Sequence, residues 1–246
     1  MIGMNIVRKN RVISTNTLAL ELLKKEVLPE GTIIWADEQT KGRGHAGNSW
    51  ESEAGKNLTF SVVLYPHFLN IEAQFMLSKV TSLAIVDFLS ENIDHSTIKW
   101  PNDIYVGNDK IAGILIENSI IGSEFDHSII GIGLNVNQTH FLSDAPNPIS
   151  MRLITGTTFD LEEALHSLCE KLEKRYTQLI SNQVDEIDQE YLSNLFRYNA
   201  FYSYRHGKDI FSARITGIDS FGVLILETET GKIRKFRFRE IDYMLE

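Results

Sequence analysis

The run Gly42-Arg43-Gly44-His45-Ala46-Gly47-Asn48-Ser49-Trp50 restricts the possible folds more than any other stretch of the chain. Its glycines let the backbone approach an anion with no Cβ in the way, and successive N–H groups of such a loop can close on it. Read as Gly-x-Gly-x-x-Gly, the run would have to follow a strand and open an amphipathic helix. It opens instead into the polar stretch Glu51-Ser52-Glu53-Ala54-Gly55-Lys56 and then a β-branched strand from Asn57. Read as a Walker loop, it places Asn48 where a lysine must neutralise phosphate charge, which an amide cannot do. Neither nucleotide-binding fold fits, and the glycines point to a ligand loop at the end of a strand.

The 246 residues suffice for one large domain, or a large and a small one, with a core that needs no disulfides or metal staples. A formal net charge of -9 argues against a general nucleic-acid or anionic-membrane binder. The single cysteine, Cys169, shares an apolar helical register with Leu165, Leu168 and Leu172, so it reads as core. With no signal peptide and no run of membrane-spanning length, a cytoplasmic protein is expected.

Along the chain, Ser14-Thr15-Asn16 precedes Leu18, Leu20, Leu22 and Leu23 as a helix start. Residues 31–36 read as a buried strand ending in Asp37-Glu38-Gln39-Thr40, so the glycine loop sits at a strand end. Leu58 to Leu64 is a second strand, and Asn70 caps a long helix through Phe75, Val80, Leu83 and Phe88. Thr97 to Val106 reads as one strand broken at Pro101, which has no N–H for the ladder, and Gly107-Asn108-Asp109 turns it back into Lys110–Glu117 as a hairpin. Ser128 to Val136 is a further strand, whose Gly131 and Gly133 suggest close approach by a ligand.

The segment around Asp144-Ala145-Pro146-Asn147-Pro148 is irregular. Asp160 with Glu163 then caps a helix through Leu179, and a second helix carries Val184, Ile187, Tyr191 and Leu195. From about Asn199, short strands separated by Asp219-Ser220-Phe221-Gly222 and Thr228-Glu229-Thr230-Gly231 form a small all-β module. Lys232, Arg234, Lys235, Arg237 and Arg239 alternate along its last strand, which puts their charges on one, solvated, face.

Four stretches now stand in order: Ser14-Thr15-Asn16, the loop Gly42 to Trp50, Lys99-Trp100-Pro101-Asn102-Asp103, and Lys110-Ile111-Ala112-Gly113-Ile114-Leu115-Ile116-Glu117 leading to Gly131-Ile132-Gly133-Leu134-Asn135. This ordered set closely resembles biotin protein ligases, over essentially the whole chain. The resemblance implies an α+β fold: a mixed sheet with helices on one side, like the catalytic domain of class II aminoacyl-tRNA synthetases, followed by a C-terminal SH3-like β-barrel. The expected division is a biotin/ATP-binding catalytic domain over 1–196 and the SH3-like domain over 197–246. Longer members carry an N-terminal DNA-binding winged helix, for which Ser14-Thr15-Asn16 falls too near Met1; the resemblance is to the short type, with no DNA binding.

The implied activity is ATP-dependent. Biotin and ATP give biotinyl-5′-adenylate, and a lysine of a biotin carboxyl carrier protein of a carboxylase then takes the biotinyl group. A carboxylate is a poor electrophile until it is made a mixed anhydride, and joining two anions calls for cations. Lys99 and Arg43 are the implied catalytic groups. Ser14, Thr15, Asn16, Gln39, Gly42, Arg43, Gly44, Lys99 and Gly113 are the implied biotin site. Arg43, His45, Trp50, Lys99, Asn102, Lys110 and Asn135 are the implied adenylate site, with Trp50 stacking on adenine and Asn135 at its edge.

ATP with Mg²⁺ is the expected co-substrate, no carboxylate cluster announces a metal site, and no tightly bound prosthetic group is expected. The protein is expected to be a monomer or homodimer. Many relatives have Arg at the positions of His45 and Asn48, so this loop carries less charge. Two other readings compete: a lipoate or octanoate protein ligase, and a non-catalytic biotin-binding sensor. Ser14, Thr15 and Gln39 favour biotin, whose ureido ring needs neutral hydrogen-bonding partners.

Overall fold

The computed structural model describes residues 2–44, 47–142 and 147–244. In chain order the elements are β1 (Ile6–Val12), α1 (Thr15–Leu23), β2 (Thr32–Gln39), β3 (Leu58–Leu64), α2 (Phe75–Leu89), β4 (Ser96–Lys99), β5 (Asp103–Val106), β6 (Asp109–Ile121) and β7 (Glu124–Leu134). Then follow α3 (Met151–Thr155), α4 (Leu161–Ile180), α5 (Val184–Ser193), β8 (Tyr202–His206), β9 (Asp209–Ile218), β10 (Leu224–Thr228), β11 (Ile233–Phe236) and β12 (Asp242–Tyr243).

Among the described residues the main sheet has seven strands in the order β1-β2-β3-β7-β6-β5-β4, with only β1 and β2 parallel. β3 is buried along its whole length because both of its faces are covered. Phe60, Val62 and Leu64 join the core under α2 and α4, while Val63 joins Ile34, Ile129 and Ala19 of α1. The expected placement of helices on one side therefore needs correction, since α1 lies on the opposite face. α2 is buried nearly all round, between the sheet and the other helices, with Ser78, Lys79, Thr81 and Ser82 among its buried residues. Arg175 of α4 holds Asp87 of α2 through two bonds of 2.6 and 2.8 Å, and Lys79 of α2 meets Asp188 of α5 at 2.7 Å.

Three further expectations change. Residues 97–106 are not one broken strand: β4 and β5 pair antiparallel, Lys99 against Asp103, with the chain turning at Trp100-Pro101-Asn102. Asn70 caps a short 3₁₀ turn, Ile71–Ala73, by accepting from the Glu72 N–H, and the long helix begins only at Phe75. β2 runs on through its polar end to Gln39, because Arg11 and Val12 of β1 supply partners for Glu38 and Gln39. Of the irregular segment, 144–146 lies outside the described residues, and Pro148 bridges to Lys110.

The C-terminal strands form an antiparallel sheet in the order β11-β10-β9-β8-β12. Its apolar residues Tyr204, Ile215, Leu224 and Phe236 belong to the same core cluster as Trp100 and Tyr191. The basic residues do not share one face. β11 ends at Phe236, Arg234 lies 3.8 Å over the Phe211 ring and pairs with Asp209, and Lys235 turns toward Asp219. Cys169 is buried in the core against Gly3, as expected. Among the described residues no helix is long and apolar enough to cross a membrane.

Candidate active site

The cleft is opened by the glycines of β6 and β7. In register, Gly113 faces Gly133 and Leu115 faces Gly131, with Ser61 of β3 beyond Gly131. A Cβ on Gly133 would stand 2.3 Å from Trp50 Cε2, and one on Gly131 2.3 Å from Asn16 Oδ1. The glycines thus admit two side chains against the sheet: the indole of Trp50 lies over Gly113 and Gly133, and the amide of Asn16 over Gly131. The glycine loop that delivers Trp50 folds back on itself. Gly44 N donates to Asn48 O at 2.7 Å and Trp50 N to Gly42 O at 2.9 Å, so these amides brace the loop. A cleft of about 370 Å³ remains.

Part of the cleft wall is a set of neutral polar groups. Ser14 begins α1 but its side chain makes no cap bond, and Ser14, Thr15 and Asn16 are all buried. Gln39 Oε1 accepts from Thr15 N at 2.8 Å. Ser61 Oγ lies 2.7 Å from Thr15 Oγ1 and 2.6 Å from Asn16 Oδ1. Asn16 Nδ2 donates to Glu117 Oε2 at 2.8 Å and to Leu115 O at 3.2 Å. Parallel pairing of β1 with β2 is what brings Gln39 beside the start of α1.

The cations come from other segments of the same wall. Lys99 Nζ donates to Tyr105 Oη at 2.9 Å and lies 5.4 Å from the Tyr243 ring centre. Burial lowers its pKa; Lys110 and Arg197 lower it further, against the opposing pull of Asp103 and Asp242. Lys110 is held by Asp103 at 2.7 Å and sits 5.6 Å from the Trp50 ring centre. Arg43 grips both oxygens of Glu117, at 2.6 and 3.2 Å.

Ser14, Thr15, Asn16, Gln39, Arg43, Gly44, Trp50, Lys99, Asn102, Lys110 and Gly113 all line this cleft. Asn102 also braces its wall, donating to Ile114 O at 2.8 Å. Gly42 does not line the cleft; its carbonyl accepts from Trp50 N at 2.9 Å. Asn135 is not brought to the wall; it is buried, and its Nδ2 donates to Ile149 O at 3.0 Å. His45 lies outside the described residues. Ser61 is not among the residues expected at the site, although it and Thr59 are the two hydroxyls of an otherwise apolar strand. Nor are Phe238, Arg239, Ile241, Asp242 and Tyr243, which the C-terminal sheet contributes to the cleft. No local pattern in those residues announces a ligand.

Residues 9–135, slightly more than half the chain, match the sequence profile of the biotin/lipoate A/B protein ligase family. The chain belongs to that family. Residues 205–241 match the biotin protein ligase C terminal domain, which accounts for the second sheet. Within the biotin/lipoate A/B protein ligase family, the chain is 30% identical over 248 residues to the bifunctional ligase/repressor BirA of Bacillus subtilis (strain 168), covering 98% of this chain and 75% of that one. It is 32% identical over 235 residues to the biotin--[acetyl-CoA-carboxylase] ligase of Paracoccus denitrificans, covering 90% and 94%. Among solved structures, the biotin protein ligase from Aquifex aeolicus in complex with biotin and ATP superposes with a TM-score of 0.80 at 28% identity, covering 99% of this chain and 100% of that one. The mixed sheet with its C-terminal antiparallel sheet is the fold of these ligases.

Proposed function

We propose that this chain is an ATP-dependent biotin protein ligase, which forms biotinyl-5′-adenylate and transfers biotin to one lysine of a biotin carboxyl carrier protein. The observation that carries this reading is that one cleft is lined both by a cluster of neutral polar side chains and by Lys99. Thr15, Asn16, Gln39 and Ser14 suit the uncharged ureido ring of biotin, which offers two N–H donors and one carbonyl. Lys99 suits the carboxylate and the α-phosphate, because its ammonium donates to a neutral phenol and not to a carboxylate.

In the first step a biotin carboxylate oxygen attacks the α-phosphorus and pyrophosphate leaves. Lys99 lies between the two anions and offsets the charge that builds on the phosphoryl oxygens. Arg43 reaches the same oxygens from the glycine loop by exchanging its bonds to Glu117. Trp50 offers an indole face to adenine, with Gly113 and Gly133 beneath it. Asn102 holds the cleft wall, and Lys110, held by Asp103, faces the phosphates. Gly42 and Gly44 belong to the loop that covers them, and His45 keeps the adenylate role that its place in the sequence run implies. Asn135 serves from behind the wall by anchoring Ile149. In the second step the neutral amine of the carrier lysine attacks the carbonyl of the mixed anhydride, and AMP leaves.

Among the described residues no three His, Cys, Asp or Glu side chains converge as a metal site, and Asp103 is already engaged by Lys110. Mg²⁺ enters this reading bound to the phosphates of ATP, where it screens their charge. No prosthetic group is required. A division into 1–196 and 197–246, a cytoplasmic location, a monomer or homodimer, and the absence of DNA or membrane binding complete the proposal.

Incubation with MgATP, biotin and the carrier domain of a biotin-dependent carboxylase tests it by intact mass. One biotinyl group on one carrier lysine is expected, and none when lipoate replaces biotin. Lipoylation without biotinylation would pass the function to the other branch of the family.

A further inference from the structure

The polar cluster in the wall of the cleft is a chain whose protons can be counted. Glu117 Oε2 can only accept, so the 2.8 Å contact fixes the NH₂ end of Asn16 toward it and turns Oδ1 toward Ser61. Asn16 Oδ1 has no proton, so the 2.6 Å contact must hold the one proton of Ser61. The 2.7 Å contact between Ser61 Oγ and Thr15 Oγ1 then needs a proton from Thr15, since two lone pairs would otherwise meet there. Thr15 Oγ1 also lies 3.2 Å from Gln39 Oε1, so two hydroxyl protons serve three oxygen contacts; the single proton of Thr15 goes to the shorter one, at Ser61, and Thr15 turns lone pairs to the cleft. Gln39 Oε1 is meanwhile engaged by Thr15 N at 2.8 Å, which leaves Gln39 Nε2 to donate. The result is one acceptor beside one donor, the complement of an N–H next to a carbonyl.

We propose that Glu117 is a positioning residue that sets the direction of this relay and so makes Thr15 an obligatory acceptor toward the substrate. It touches neither substrate nor reacting atoms; it acts through Asn16, Ser61 and Thr15. Leu115 O also accepts from Asn16 Nδ2, but at 3.2 Å and without charge, whereas a carboxylate acceptor is the stronger partner. Arg43 bonds Oε1 at 2.6 Å and Oε2 at 3.2 Å, and when it turns to the phosphate Asn16 keeps Oε2 as its acceptor. The inference rests on the biotin-ligase reading.

The test compares biotin with its two cyclic carbamate analogues, each with oxygen in place of one ring N–H, in pyrophosphate release from MgATP. In the unsubstituted enzyme the analogue whose oxygen faces Thr15 Oγ1 meets lone pair on lone pair and has a raised KM. In Glu117→Gln the amide can donate, Asn16 can reverse, and Thr15 can turn its proton into the cleft. The ratio of analogue KM to biotin KM should fall by about tenfold, the effect of replacing a lone-pair clash by one neutral hydrogen bond. Ser61→Ala removes the middle link and should lower the same ratio, which keeps the test open if Glu117→Gln does not fold. Equal weakening of biotin and analogue in both variants would mean that Glu117 only supports the strand, and would overturn the inference. Failure of the unsubstituted enzyme to release pyrophosphate with biotin would instead strike the reading beneath it.

Discussion

Trp100 Nε1 donates to the carbonyl of Gly222 at 2.9 Å, tying the turn between β4 and β5 to the C-terminal sheet. The indole is 4% exposed and meets Phe238 at an edge, 6.3 Å between centres. Gly222 has φ +85 and carries the Phe75 ring against its Cα, where a Cβ would come within 2.5 Å. The turn that follows Lys99 therefore holds both the cleft and the second sheet. Trp100→Phe leaves a buried carbonyl without its donor and should destabilise the protein by about 1–3 kcal/mol, read as a shift of the urea midpoint. A midpoint within error of the parent would show that the bond does not hold the two sheets together.

Gly133→Ala should act on nucleotide more than on stability. The added methyl would meet the Trp50 ring at 2.3 Å, so the indole must leave its place over β7. With the stacking face displaced, the KM for ATP should rise roughly tenfold, in line with the loss of about 1–3 kcal/mol of base stacking. An unchanged KM for ATP would remove Trp50 from the adenine site.

The pH dependence of adenylate formation follows from Lys99. Burial, with Lys110 and Arg197 nearby, holds its pKa below the usual lysine value of 10.5. The ammonium is the active form, so the rate should stay level while Lys99 is protonated and fall as pH rises through that lowered value. The alkaline limb should therefore begin earlier than for an ordinary lysine. Lys99→Arg, which stays protonated, should lose rate and lose the limb as well. The same limb in Lys99→Arg would assign it to another group.

Cys169 gives a probe of the core. Burial pushes its thiol up to about 12, and Gly3 lies over it. Thiol reagents at pH 8 should label it only at the rate of opening, and at once in denaturant. Fast labelling of the folded protein would mean that the segment before β1 is not held against α4.

Much of the architecture was legible because its strands and helices carry strong apolar patterns, as β3, α2 and α4 do. β1 was not, because Ile6 to Val12 is an edge strand with five exposed residues and no apolar face to read. That omission also hid the reason Gln39 belongs to a strand. The β4–β5 turn looked like an interruption because Pro101 has the same sequence signature at a break and at a reversal. In the site, the glycines of the loop, β6 and β7 pointed correctly to close approach, but the sequence alone could not say that Asn16 and Trp50 are what approach. Glu117 and Ser61 become visible only when strand register places them around Gly131. The contribution of Phe238 to Tyr243 depends on how the second sheet packs, which periodicity does not encode.

The most direct test of the whole account is pyrophosphate release from MgATP by the unsubstituted protein and by Lys99→Ala, with biotin, with lipoate, and with neither. Release should require biotin and drop at least a hundredfold in Lys99→Ala while biotin is still bound, consistent with loss of a positioned cation at the phosphoryl transition state. Release that proceeds equally without biotin, or undiminished in Lys99→Ala, would contradict the proposed function.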